Sequence, residues 1–321
     1  MMASLLQVES RDELGISVLT PAKINLWLEV LGKRDDGFHE IVSLMQPVGW
    51  YDHLSFQFSK TRDDLKVQGG AAPEDSSNLV MKALHQARRS RDIDPVHIVL
   101  KKSIPAEAGL GGGSSNAAAT LACLHEWTPD PRGWAGVLMD ARLLGSDIPF
   151  FLGQGPAVVR GRGELIEPIS QPLFGNTEMY ACIWKPDFGL GTADVYSGLT
   201  GPLTYATNCR NFNQLIFKDS ESWKHQLHNR LLEAAKTVDP RIRIIADLLE
   251  VHFAGRWLMT GSGSGFVILS AQRKFAQEDS DLLGQTLKLL GQTLKESVSE
   301  DRRESSNIHS GEIKVVPLLT S

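Results

Sequence analysis

Along residues 16–31, ISVLTPAKINLWLEVL, apolar and polar side chains nearly alternate, the two-residue repeat of strands, and Pro21 predicts a bend between two of them. A charged, glycine-bounded turn, GKRDDG (32–37), leads to an apolar stretch, EIVSLMQPVG (40–49), and a strand over 53–58. Residues 59–76 read as a loop around a short strand, with Ser76 and Ser77 placed to cap a helix over 78–89. β-Branched content predicts a strand over 96–101, VHIVLK. Alanine and leucine predict a helix over 116–127, followed by another over 134–144. In the second half a strand is expected at 179–184 and helices at 223–235 and 241–250. Two strands, 256–260 and 266–270, flank the loop GSGSG. A helix over 273–294 is interrupted in character by Gly284 and Gly291, and a short apolar segment, 313–319, closes the chain. Residues 200–213 have no clear period, and 297–311 are polar and expected to be mobile. Helices and strands alternate without a strict βαβ rhythm, which predicts an α+β fold in two lobes, residues 1–164 and 165–321.

Composition narrows the function. With 321 residues, 42% hydrophobic and 22% charged, the chain can bury a sizeable core. A net charge of -5 argues against a broad nucleic-acid surface but leaves room for a local basic pocket. Cys123, Cys182 and Cys209 are far apart, which argues against a disulfide framework or a zinc site and for a reducing compartment. The first fifteen residues lack the pattern of a leader, and no run approaches 18 apolar residues. A cytoplasmic protein, without membrane or nucleic-acid partners and either a monomer or a weak homodimer, is the expectation.

The sharpest chemical signal is IPAEAGLGGGSSNAAA, residues 104–119, between a predicted strand and a predicted helix. Gly109, Gly111, Gly112 and Gly113 carry an entropic cost that suits a loop whose backbone must take positive φ or approach a ligand closely. Ser114 and Ser115 supply hydroxyls, and Asn116 is read as opening the helix, so free N–H groups can converge on anionic oxygens. The Walker A pattern fails because Gly113, not Lys, precedes Ser114. The dinucleotide fingerprint fails because Ser114 stands where its third glycine belongs. The bland alternative is a flexible turn that only caps a helix.

Pro105 through Ala117 resembles the second motif of the GHMP kinase superfamily. Residues 21–46, PAKINLWLEVLGKRDDGFHEIVSLMQ, are similar to the N-terminal signature of its 4-diphosphocytidyl-2-C-methyl-D-erythritol kinases. So is LGSDIPFFL (144–152), followed by Gly161 and Gly163, while TGSGSGFVIL (260–269) resembles the third superfamily motif. The resemblance implies an N-terminal ribosomal-S5-domain-2-like lobe, a C-terminal ferredoxin-like lobe and an active site in the cleft between them. It implies ATP and Mg²⁺, and transfer of phosphate to the 2-hydroxyl of 4-diphosphocytidyl-2-C-methyl-D-erythritol on the non-mevalonate route to isoprenoid precursors.

The same resemblance assigns roles. Asp147 is the expected base and Lys23 the cation that keeps it ionised and steadies charge on the transferring group. Asn25, two residues on and so on the same strand face as Lys23, is expected at the erythritol part. Phe38 and His39 match the pair that holds the cytosine ring, with Phe38 where the family usually has Tyr, and Phe188 is expected on the ring's other face. Lys102 and Pro105, the loop Gly109, Leu110, Gly111, Gly112, Gly113, Ser114, Ser115 and Asn116, and the second loop Gly261, Ser262 and Gly263 are expected around ATP, with Ser115 also toward Mg²⁺. The family's Asn-Asp-Leu-Glu stands here as Asn229-Arg230-Leu231-Leu232-Glu233, a departure expected to touch local helix detail and not the chemistry. Rival readings are a GHMP kinase for another small alcohol such as homoserine or mevalonate, a catalytically silent nucleotide-binding module, and a dinucleotide-dependent oxidoreductase. GKRDDGFH, which fits a cytidine pocket, separates the first from the family reading.

Overall fold

The structure is a computed structural model, and it describes residues 5–12, 15–200, 223–224, 226–297 and 310–320. The aperiodic 201–213, Cys209 and most of the polar 297–311 lie outside the described residues.

The larger sheet runs β1 (Gln7–Arg11), β2 (Gly15–Lys33), β3 (His39–Phe58), β5 (Val96–Lys102), β4 (Asp64–Gly69). Beside β3 and its neighbours lie β6 (Ala157–Gly161) and β7 (Leu165–Pro168), and β9 (His228–Asn229) runs parallel to β2. The smaller sheet has the order β10 (Trp257–Met259), β11 (Phe266–Ala271), β8 (Met179–Pro186), β12 (Gly311–Pro317). The expected division at 164/165 falls inside the β6–β7 hairpin.

Pro21 does not split its run. β2 is one strand, and the ladder with β3 shifts register between Pro21 and Ala22, which absorbs a residue that cannot donate to the ladder. β3 reaches 20 residues, taking in the apolar stretch 40–49, because its first part pairs with β6 and its second with β5. On the larger sheet lie α1 (Leu79–Ala87), α2 (Gly112–Trp127), α3 (Gly133–Leu144) and the single turn α4 (Ile148–Phe151). Asn78, not Ser76 or Ser77, caps α1, accepting from Val80 N. α2 starts four residues earlier than composition indicated, so Asn116 lies inside it. Tertiary packing overrides glycine's poor helix propensity: a Cβ at Gly112 would stand 2.9 Å from Ile104 Cγ2.

Around the smaller sheet are α5 (Thr192–Ser197), α6 (Leu231–Val238), α7 (Pro240–Phe253) and α8 (Arg273–Ser297). The helix expected from 223 starts only at Leu231, since His228 and Asn229 are drawn into β9. Among the described residues no helix is long and apolar enough to cross a membrane.

Three apolar clusters follow from this layering. Val18, Leu54, Phe56 and Ile98 meet Leu84, Leu121 and Leu124 beneath the first helices. Trp184, Ile268 and Cys182 meet Ile245, Leu249 and Leu283 beneath the later ones. Between the sheets, Ile24, Leu26, Val48 and Trp50 pack with Ala181, Ile183, Val267, Leu269 and Val316. The two sheets therefore share a core, and the second is held against β2. Side chains two apart share a strand face, so Ile24 and Leu26 enter this core while Lys23 and Asn25 reach the cleft.

Candidate active site

A cleft of about 1040 Å³ is lined by Lys23 and Asn25 of β2, by Phe38 and His39 at the start of β3, by Gly109 and Gly111, by Asp147, by Tyr196 of α5, and by Gly261, Ser262 and Gly263. Every segment of the sequence that carried candidate chemistry sends at least one residue to this wall.

Lys23 is buried, and its Nζ lies 3.4 Å from Asp147 Oδ2 and donates to Asn25 Oδ1 at 2.7 Å. Asn25 is fixed in turn, donating to Ser43 Oγ at 2.8 Å, and Ser43 Oγ donates to Trp27 O. The ammonium therefore has a rigid seat. Asp147 occupies the N-cap position of α4 yet makes no side-chain cap bond. Its carboxylate, partly exposed, is left to face Lys23 and the cleft. An aspartate that served only to end a turn would spend its oxygens on backbone amides.

The glycine-rich loop and the loop between β10 and β11 lie back to back. Gly109, at φ 69°, would place a Cβ 2.0 Å from Thr260 O, so no side chain fits there. Gly111, at φ 71°, is the left-handed N-cap of α2, with Lys23 and Phe151 close against it. Ser264 N donates to Glu107 O, and Lys23 N to Leu110 O, tying both loops to β2. Ser115 N is paired to Gly111 O, and the amides before it are those any helix start leaves unpaired. Ser115 Oγ is buried without a hydrogen-bond partner among the described residues.

Other predicted residues hold this loop from below and do not line the cleft. Asp52, fully buried, accepts from Ser103 N and Ile104 N at 2.7 Å, from Lys102 Nζ at 2.7 Å and from Asn116 Nδ2 at 3.0 Å. Lys102 also donates to Ile104 O, and Asn116 Oδ1 accepts from Thr20. Lys102 and Asn116 are thus committed to the protein. Leu110 is core; Pro105 and Ser114 are half-buried, and Gly113 is exposed at the helix start.

Also in the cleft wall, Phe38 is half exposed and lies under the Arg162 guanidinium at 4.9 Å. His39 faces Tyr196, ring centroids 5.0 Å apart. Burial, and then the Lys33 cation, pull the His39 imidazole below its usual range, while burial, and then the Asp147 charge, push the Tyr196 hydroxyl above the phenol range. The aromatic opposite His39 is therefore Tyr196. Phe188 lies outside the lining of the cleft: it is buried under the Arg241 guanidinium at 3.9 Å, and its carbonyl is held by Lys185 and Ser264. Both rings belong to KPDFGLGTADVY, but the α5 turn carries only the second into the cleft. Arg162 and Asn229 had no sequence signal of their own beyond their motifs.

Residues 78–152 match the family model of the GHMP kinases N terminal domain. The chain is 38% identical over 257 residues to a 4-diphosphocytidyl-2-C-methyl-D-erythritol kinase of Protochlamydia amoebophila, covering 78% of this chain and 83% of the relative. It is 34% identical to the enzyme of the same name from Syntrophus aciditrophicus, covering 84% and 95%. Among solved structures, a 4-(cytidine 5'-diphospho)-2C-methyl-D-erythritol kinase superposes with a TM-score of 0.65 at 27% identity, over 95% of this chain and 100% of the other. A homoserine kinase from Cytophaga hutchinsonii superposes at 0.63 with 16% identity, over 97% and 96%, a likeness of fold alone.

Proposed function

Because the chain belongs to the 4-diphosphocytidyl-2-C-methyl-D-erythritol kinases of the GHMP kinase superfamily, we propose that its cleft transfers the γ-phosphoryl group of ATP to the 2-hydroxyl of that cytidyl alcohol, on the non-mevalonate route to isoprenoid precursors. The observation that carries this reading is one cleft that holds the Lys23–Asp147 pair, a glycine loop and a His39–Tyr196 aromatic pair in its wall.

Asp147 takes the proton of the acceptor hydroxyl as its oxygen bonds to the γ-phosphorus and the bond to the β-phosphate oxygen breaks, leaving ADP. Lys23, seated by Asn25 and 3.4 Å from Asp147, stabilises charge on the transferring oxygens. Unpaired amides at the start of α2 receive the triphosphate. Phe38 and Tyr196 bound the pyrimidine, and His39, kept neutral by its surroundings, reads its edge.

Mg²⁺ fits this arrangement as a partner of the phosphates. Among the described residues no group of three or more His, Cys, Asp or Glu forms a cage, and this ion commonly uses one or two protein oxygens plus substrate phosphates. The orphaned Ser115 Oγ and the Asp147 carboxylate are the oxygens that suit it, and it would neutralise charge on the transferring group.

With Mg-ATP, the cytidyl alcohol supports ADP release while homoserine and mevalonate do not; faster turnover with either of those overturns the substrate assignment. In the same assay Tyr196→Ala raises KM for the cytidyl alcohol by about 5–150-fold, from a stacking loss of roughly 1–3 kcal/mol, with KM for ATP unchanged. An unchanged KM removes the ring from the pyrimidine site.

A further inference from the structure

We propose that Asn229 is the positioning residue of the second glycine loop, setting the Gly261 backbone for the nucleotide without touching it. The inference rests on the reading above, that the paired glycine loops hold ATP.

Asn229 ends β9, where Leu28↔Asn229 pairs it to the strand that carries Lys23 and Asn25, and Arg230 N donates to Leu28 O at 2.9 Å. Its side chain is buried and fully used. Nδ2 donates to Met259 O at 2.6 Å and Gly261 O at 2.8 Å, while Oδ1 accepts from Leu231 N at 2.9 Å to open α6. Only one amide orientation works, since a rotated group would set its oxygen against two carbonyls. Gly261 in turn lies against Gly109: a Cβ on Gly261 would be 3.0 Å from Gly109 Cα. One residue thus links β2 through its backbone pairing, and the entrance of α6 and the seam between the two loops through its side chain. The motif set aside as local helix detail therefore supports the cleft from behind through its asparagine.

Two variants separate positioning from plain stability. Asn229→Ser keeps an oxygen that can accept from Leu231 N but cannot span to both carbonyls. Asn229→Asp keeps the shape and turns the donor into an acceptor facing them. Asp63→Ala, which removes the partner of Arg88 and of Val96 N beside the edge strand β4 of the larger sheet, serves as a control of ordinary destabilisation. Affinity for ADP is measured by calorimetry without any acceptor alcohol, beside melting temperature and the two KM values. We expect Asn229→Ser to weaken ADP binding and raise KM for ATP by about tenfold, and Asn229→Asp by more, with KM for the cytidyl alcohol within about twofold of wild type and Tm no lower than in the control. ADP affinity within about twofold of wild type in both variants, or an equal loss in Asp63→Ala, overturns the proposal. Wild-type protein that binds ADP but ignores the cytidyl alcohol counts against the substrate and leaves the positioning test standing.

Discussion

Asp147→Asn lowers kcat by on the order of 10²–10⁴ while ADP affinity and melting temperature stay near wild type. The size follows from the loss of a carboxylate able to accept a proton where the acceptor oxygen must sit. The selectivity follows from geometry: the side chain makes no cap bond to α4, so its amide replacement leaves no backbone donor stranded. Asn is also nearly isosteric and can still take a hydrogen bond from Lys23 Nζ, now 3.4 Å from the carboxylate, so the ammonium keeps its seat on Asn25. Single-turnover phosphoryl transfer measures the step directly. Turnover near wild type would take Asp147 out of the chemistry, and a collapse of thermal stability would make it a structural residue instead.

The largest stability loss is expected at a residue that never faces the cleft. Asp52→Ala removes the acceptor of Lys102 Nζ, Asn116 Nδ2 and two backbone amides, all in a fully buried site. Breaking a buried pair while leaving its cation behind costs about 3–5 kcal/mol. Lys102 lies beneath Gly112, its Nζ 3.0 Å from where a Cβ would stand, so the damage reaches the first turn of α2. Urea unfolding of Asp52→Ala should show that loss in the midpoint. Asp52→Ala/Lys102→Met, which also removes the stranded ammonium, should recover part of it. A single variant as stable as wild type would mean that the network contributes only alignment.

The distinction between these two aspartates marks what could be read from sequence. Asp147 sat in a motif, LGSDIPFF, and its role could be guessed from its company. Asp52 follows an unremarked Trp-Tyr pair, and its four donors arrive from residues 50 to 64 positions away, a convergence no local window contains. The strands and most helices were legible because period and propensity are local. The exceptions were positions where tertiary packing decides: Pro21 carried through by a register shift, Gly112 and Gly113 built into a helix, and His228–Asn229 taken from a helix into β9. The presence of Tyr196 in the cleft lining, with Phe188 outside it, has the same origin. Either ring could stack on a base, and only the turn of α5 decides which one enters the cleft.

The last described residues return to the first lobe. Leu319 N donates to Pro47 O at 2.9 Å, Gln46 Nε2 to Leu319 O at 2.7 Å, and Val48 bridges to Leu318, while Pro47 and Gln46 are the ladder partners of Lys23 and Ile24. Removing residues 311–319 would therefore strip the backing from the strand pair that carries Lys23 while leaving both glycine loops in the chain.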